Sequence, residues 1–221
     1  SAPTGIAGSM ARFAVVNNYL YGVSLSQLKA FDISNGADPK MASTKNVGWN
    51  IETIYPFQNK LFLGSSSGMF IFTTTDPAAP QKEGMFSHVR ACDPVVADNN
   101  TAFVTLRSGT ACQGFNNQLD VLNITNTMQP VLLKSYGLTN PHGLSKDGDL
   151  LFICDGKGGL KIYNAQDPLN LQLIRIFLGM ETYDIITSNK RAMVVASDGL
   201  YQFDFADVKN IKLISKLTIE N

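Results

Sequence analysis

A segment that recurs five times, period-two alternation inside each copy, and an Asx residue at one fixed place in every copy predict an all-β protein: a five-bladed β-propeller with four antiparallel strands per blade. The repeat is plainest in the short apolar segments that open at Leu20, Leu61, Ala102, Leu151 and Ala192, spaced 41, 41, 49 and 41 residues apart. Each is followed by an alternating segment: Leu28 to Ile33, Met69 to Thr74, Leu119 to Ile124, Leu160 to Ala165 and Leu200 to Phe205. Alternation sends every second side chain to one face, the pattern of a half-buried strand. Asn35, Asp76, Asn126, Asp167 and Asp207 stand seven residues after these segments open. Asn and Asp bond their own backbone two residues on, so the five read as the tight turn leaving the third strand. Four positions further, Pro39, Pro80, Pro130, Leu171 and Ile211 open a fourth strand, where proline at a first or edge position removes no ladder donor.

The four strands of a repeat are thus an inner one (Thr53 to Gln58, for example), the apolar one, the alternating one and an outer one (Gln81 to Ser87, or Leu171 to Phe177). Period-two alternation excludes a helical solenoid. The repeats fill one domain, with blades at about 10–47, 48–88, 89–138, 139–179 and 180–221. Only about nine residues precede the first inner strand, and the last outer strand, Ile211 to Ile219, is complete. The ring therefore closes either by packing of blade 1 on blade 5 or through an upstream segment.

The composition narrows the partners. The 221 residues are 44% hydrophobic and 16% charged, with 18 Lys+Arg against 18 Asp+Glu. A nucleic-acid binder or a polybasic membrane binder needs a basic excess, so neither partner is expected. No stretch approaches the roughly 18–20 apolar residues of a spanning helix, and the N-terminus lacks a basic-then-apolar signal pattern. The protein is then cytosolic or has lost a targeting segment.

The runs Leu160-Lys161-Ile162-Tyr163-Asn164-Ala165-Gln166-Asp167-Pro168 and Leu28-Lys29-Ala30-Phe31-Asp32-Ile33-Ser34 resemble the LVIVD-repeat proteins, whose name spells this strand and whose repeat continues into Asx-Pro. The likeness covers about residues 10–219. Gly8 to Phe13, Cys92 to Val96 and Thr105 to Gly109 are similar to members found as lipoproteins or surface proteins of Bacteroidetes-type bacteria. The resemblance implies an exported propeller, in the periplasm or at the outer cell surface, with a lipid anchor available to the full-length protein. It carries no catalytic motif. Met69 to Thr73 and Leu200 to Asp204 depart from the family strand without disturbing its alternation.

Propeller topology sorts residues by face. Loops entering the inner strands share a face with the loops joining second and third strands, and the Asx turns lie opposite. At the start of the inner strands the aligned residues are Ala11, Glu52, Asp93, His142 and Tyr183, followed by Arg12, Thr53, Pro94, Gly143 and Asp184. This polar ring marks the mouth of a funnel. Hydration of the entrance accounts for it; the functional alternative is a small-ligand site made by Glu52, Asp93, His142 and Asp184 with Arg12. No cofactor is required, but three carboxylates and an imidazole are a donor set for an oxygen-loving divalent cation. The 49-residue interval places an insertion at about 107–117, on the same face, where Arg107, Phe115 and Asn116 could meet a ligand. Trp49, the single tryptophan, precedes the inner strand of blade 2 and either packs between blades 1 and 2 or stacks on a planar ligand.

Of three cysteines, Cys92 and Cys112 fall on one side of blade 3 and are expected to form a disulfide. It closes a loop of about 20 residues, worth roughly 3 kcal/mol by chain entropy, and calls for an oxidising compartment. Cys154, in an apolar strand, reads as a buried small hydrophobe rather than a nucleophile. No Cys-x-x-Cys or His-x-x-x-His spacing supports zinc, and no Gly-x-Ser-x-Gly elbow is present. Gly156-Lys157-Gly158-Gly159 joins two strands rather than opening a helix, so it reads as a β-turn and not a phosphate loop. His88 reads as a bland polar residue, whereas His142 at the funnel is the better acid/base candidate. The function expected is noncatalytic binding of a protein or glycan on the funnel face. Its rival is a hydrolase or lyase, metal-assisted or not, working from the funnel.

Overall fold

The computed structural model describes residues 9–87, 94–108 and 117–219. They form five sheets, each a meander of four antiparallel strands. Blade 1 holds β1–β4 (Phe13–Val16, Tyr19–Val23, Gln27–Asp32, Lys40–Asn46) and blade 2 holds β5–β8 (Ile51–Phe57, Lys60–Ser65, Gly68–Thr73, Gln81–Ser87). Blade 3 holds β9–β12 (Val95–Asp98, Thr101–Leu106, Gln118–Asn123, Val131–Gly137) and blade 4 holds β13–β16 (Leu144–Asp147, Leu150–Cys154, Leu160–Asn164, Gln172–Phe177). Blade 5 holds β17–β20 (Thr182–Ser188, Arg191–Ala196, Gly199–Asp204, Lys212–Thr218), with a single 3-10 turn at Val208–Asn210 before its last strand. The five-bladed propeller expected from the repeats is the architecture observed.

The Asx turns take the conformation their chemistry predicts. The side-chain oxygens of Asn35, Asp76, Asn126, Asp167 and Asp207 each accept from the backbone amide two residues on, at 3.0–3.1 Å. The backbone carbonyl of the same residue accepts from the amide three residues on in all five blades. A second set stands three residues earlier, where Asp32, Thr73, Asn123, Asn164 and Asp204 each receive the amide two residues on. The third and fourth strands of every blade slip register once, at Ala30/Phe31, Ile71/Phe72, Val121/Leu122, Ile162/Tyr163 and Gln202/Phe203. A bulge at one conserved repeat position adds local twist where the outer strand must splay from its neighbour. Pro39, Pro80 and Pro130 sit immediately before β4, β8 and β12, where no amide donor is wanted.

The blades are sandwiched on each other. Four apolar cores fill the seams between blades 1 and 2, 2 and 3, 3 and 4, and 4 and 5. On the Asx-turn face, Tyr21 donates to the Pro77 carbonyl and Tyr136 to the Pro168 carbonyl, so a tyrosine from one blade holds the turn of the next. Gly84 lets β8 approach the blade 3 turn, because a Cβ there would stand 1.8 Å from the Thr127 carbonyl oxygen. Gly84→Ala is expected to lower stability by about 1–3 kcal/mol through this overpacking, whereas Gly36→Ala, with open space around its Cβ, stays near zero. Urea midpoints of the two variants, measured side by side, check the difference.

Candidate functional site

The loops that enter the inner strands and the loops between second and third strands do share a face, and they enclose a pocket of about 450 Å3. That volume lies within the range of small-molecule sites. Arg12, Glu52, Arg107 and His142, all anticipated, line it together with apolar Met10, Leu25, Pro94 and Pro141. The four polar residues come from different blades, and the inner strands radiating from one axis bring them together.

His142 is the most determined side chain of the group. Its carbonyl accepts from Thr105 Oγ1 at 2.6 Å, and its amide donates to the Cys154 carbonyl. The Nη1 of Arg107 lies 2.6 Å from Nδ1 of the imidazole, and the side-chain amide of Asn140 lies 3.3 Å from Nε2. A guanidinium can only donate, and the same Nη1 lies 3.1 Å from Nε2, so the ring is neutral and offers Arg107 the lone pair of its unprotonated nitrogen. Burial, reinforced by the Arg107 charge, lowers the His142 pKa to about 4. Tyr183 packs edge-on against the ring, 5.3 Å between centroids, and so supports the histidine from behind.

The loop that delivers His142 is fixed by a residue outside the aligned polar ring. Asp155 is fully buried at the end of β14 and accepts from the backbone amides of Thr139 and Asn140. Its charge is met by Lys161, whose Nζ lies 2.5 Å away. A buried carboxylate survives only with such partners. The glycines after it are required by the same packing: a Cβ at Gly156 or Gly158 would strike Asn140, or Asp155 and Thr139. The Gly-x-Gly-Gly run is therefore the β-turn expected, and its purpose is to admit the 139–140 loop. An Asp directly after an apolar strand and before that run was the available signal. Ser108 and the Thr139 carbonyl are joined through Asn117, which ties the ends of the blade 3 insertion to the same loop.

Arg12 reaches across from blade 1 and donates at 3.3 Å to the carbonyls of Glu52 and Ile51. Burial raises the Glu52 pKa, with Arg107 and Arg12 opposing the rise. Asp184 does not line the pocket. One of its oxygens, Oδ1, is buried without a hydrogen-bond partner against Gly143, where a Cβ would stand 2.2 Å from it. Burial raises the Asp184 pKa to about 6, although the amide of Ile185, the Ser9 hydroxyl and the amide of Met10 all favour the charged form. Ser9 Oγ also accepts from the Leu144 amide, so the N-terminal segment is pinned at the axis between blades 4 and 5.

Trp49 is corrected on one count: it is 83% exposed, so it does not pack between blades 1 and 2, and it stands outside the pocket lining. Its loop turns the ring outward while Gly48 beneath it packs on Phe70. Asp93, Cys92, Cys112, His88, Phe115 and Asn116 lie outside the described residues. Among the described residues no three His, Cys, Asp or Glu side chains converge on a cation position. Cys154 is buried with a free thiol, and burial holds its pKa well above the ordinary value.

The comparisons agree on architecture. No known protein-family profile matches the chain, and no curated protein matches it by sequence. A periplasmic gluconolactonase of Pseudomonas aeruginosa, PpgL, is similar in structure with a TM-score of 0.69 at 13% identity, covering 94% of this chain and 68% of that one. A protein from Lactobacillus plantarum gives 0.69 at 14% identity over 91% and 69% of the two chains. A chain of an S. cerevisiae complex of dbp5 with nup159 and gle1 gives 0.61 at 8% identity over 97% and 64%. The fold is that of a β-propeller. This chain spans about two thirds of each neighbour's length. No helix among the described residues is long and apolar enough to cross a membrane.

Two titrations follow from this geometry. His142 should stay neutral until about pH 4, and Arg107→Met should raise its midpoint while leaving it below the ordinary 6.5, because burial, the larger cause, remains, as read from imidazole carbon shifts by NMR. Asp184 has a folded pKa raised above its ordinary 3.8, so its contribution to stability is present below that value and is lost as pH rises through about 6. Asp184→Asn should therefore flatten the pH dependence of stability between these values, a difference of up to about 3 kcal/mol at neutral pH seen in urea unfolding.

Proposed function

We propose that the protein is an exported, noncatalytic binding module whose funnel pocket takes a small carboxylate-bearing ligand, such as the acidic end of a glycan or peptide. The observation that carries this reading is the pairing of Arg107 with a neutral His142 beside Arg12. With the imidazole uncharged, the described lining residues set two guanidinium groups against one carboxylate, Glu52, so the pocket favours a single negative charge. Arginine forks match a carboxylate in two-bond geometry, and the apolar walls suit a ring or aliphatic stem. Because burial raises the Glu52 pKa, acidification protonates this carboxylate more readily than an exposed one, and its loss of charge strengthens anion binding.

The rival catalytic reading is a hydrolase or lyase with His142 as acid/base. A periplasmic gluconolactonase among the structural neighbours gives that reading its one specific support. Against it, Arg107 lies within hydrogen-bond distance of both ring nitrogens and engages the ring's one lone pair, and a pKa near 4 leaves little proton affinity for general-base work at neutral pH. Export belongs to the proposal: it is what the resemblance of the repeat to the LVIVD-repeat proteins implies, and it is the condition under which a Cys92–Cys112 disulfide would form. The lipid anchor and the bacterial surface or periplasm belong to the same proposal.

Titration calorimetry with galacturonate against galactose tests the ligand class. Galacturonate is expected to bind more tightly as acidification protonates Glu52, Arg107→Ala and Arg12→Ala should each weaken it at least roughly tenfold, consistent with a charge-assisted bond of about 1.5–3 kcal/mol, and galactose should not bind measurably. Equal binding of both sugars, or turnover of gluconolactone that depends on His142, would overturn the reading. Intact mass before and after reduction tests the compartment: a gain of two hydrogens with Cys92 and Cys112 newly alkylated is expected.

A further inference from the structure

The seam between blades 5 and 1 differs from the other four. The first residue of the apolar segment points to the preceding blade, and Leu61, Ala102, Leu151 and Ala192 are all fully buried there; Leu20, its blade 1 counterpart, is only half-buried. The next residue points to the following blade, and Tyr21, Phe62, Phe103 and Phe152 are buried; Met193, the blade 5 counterpart, is only half-buried. Leu28, Met69, Leu119 and Leu160 are likewise buried while Leu200 is not. One repeat position fails at the first blade and its neighbours fail at the last, so among the described residues two blade faces lack the cover that the other faces have.

Both faces are apolar across the full width of the sheet. On blade 1 the cross-strand row runs Val15, Leu20, Phe31, Met41, with Phe13 beside it 64% exposed. On blade 5 the row Val195, Leu200, Leu217 is flanked by Ile186 and Met193, and Leu217 is 67% exposed. Among the described residues no apolar core joins the two blades, and Ser9, from the segment leading into blade 1, bonds at the axis to Leu144 of blade 4 and Asp184 of blade 5. Rows of this size are interaction surfaces in a soluble protein.

We propose that these two faces are the docking surfaces for further four-stranded blades of the same repeat, carried on the same polypeptide outside residues 1–221 and wedged between blades 5 and 1. The repeat itself names the occupant, because the equivalent positions at the other four seams are covered by the apolar face of a neighbouring blade. The structural neighbours give the size: five blades that fill roughly two thirds of a propeller chain leave space for about two more, within the 4–8 blades that such rings hold. Face-to-face burial of this kind is driven by the apolar area removed from water.

Hydroxyl-radical footprinting of Phe13, Met41 and Leu217 tests the proposal, comparing the 221-residue chain with the polypeptide isolated from its native cells, whose intact mass is measured in parallel. The expected result is rapid labelling in the 221-residue chain at low concentration, and a severalfold drop in a native polypeptide that is longer by about two blade lengths. Protection in the monomeric 221-residue chain would mean that the seam closes on itself. Protection that appears only as the 221-residue chain dimerises would make a second copy the occupant. Labelling that is equally fast in both would leave the faces without any occupant. Each of these three results overturns the proposal.

Discussion

Everything in this molecule follows from the fact that a blade is apolar on both faces. A twisted four-stranded sheet with one wet face can stand alone against a single layer, but a sheet such as β5–β8, where Leu61 and Phe62 are both fully buried on opposite sides, must be covered twice. Radial stacking satisfies that demand at the four seams between consecutive blades, and it also fixes the site. Because each inner strand starts at the axis, one side chain per blade is delivered to a common mouth, whatever chemistry the rest of the blade carries.

Within that scaffold, blade 4 is specialised. At the end of their second strands the other blades have Ser24, Ser65, Leu106 and Ala196, whereas blade 4 has Asp155. Burying a carboxylate there costs several kcal/mol unless it is paired and hydrogen-bonded, and Lys161 with the amides of Thr139 and Asn140 supplies those partners. The return is positional. A loop with no regular structure of its own is held through two amide bonds, and the imidazole two residues later is aimed at Arg107. The buried ion pair is therefore better understood as a device for placing His142 than as a source of net stability.

The sequence carried the architecture because the repeat is written at a fixed period in three independent registers, and each register has a local cause: alternation, Asx bonding and proline's missing amide. The site was legible to the extent that it shares those registers. Arg12, Glu52 and His142 could be assigned to the mouth because they open aligned strands. Arg107 was reached only through the irregular interval, and its bond to His142 joins residues 35 positions apart on different blades, which no local pattern encodes. Asp184 occupies an aligned position yet leaves the pocket, since Gly143 lets it fold against its neighbour and Ser9 captures it. Trp49 illustrates the reverse failure: its place in the repeat gives the loop, but nothing local gives the direction of an indole at a loop tip.

The two perturbed groups on the axis respond to acid in opposite directions, and the sign of each is set by its neighbours. His142 and Asp184 are both buried enough to favour their neutral forms, which for an imidazole means a lowered pKa and for a carboxyl a raised one. At neutral pH the histidine meets that preference and the aspartate does not, so the charge that strains the axis is the Asp184 carboxylate with its unpartnered oxygen. The pocket beside it keeps two fixed cations and a neutral ring. Its selectivity for charge thus rests on arginines that no physiological pH can discharge, and among the described lining residues the group that acid can switch is Glu52.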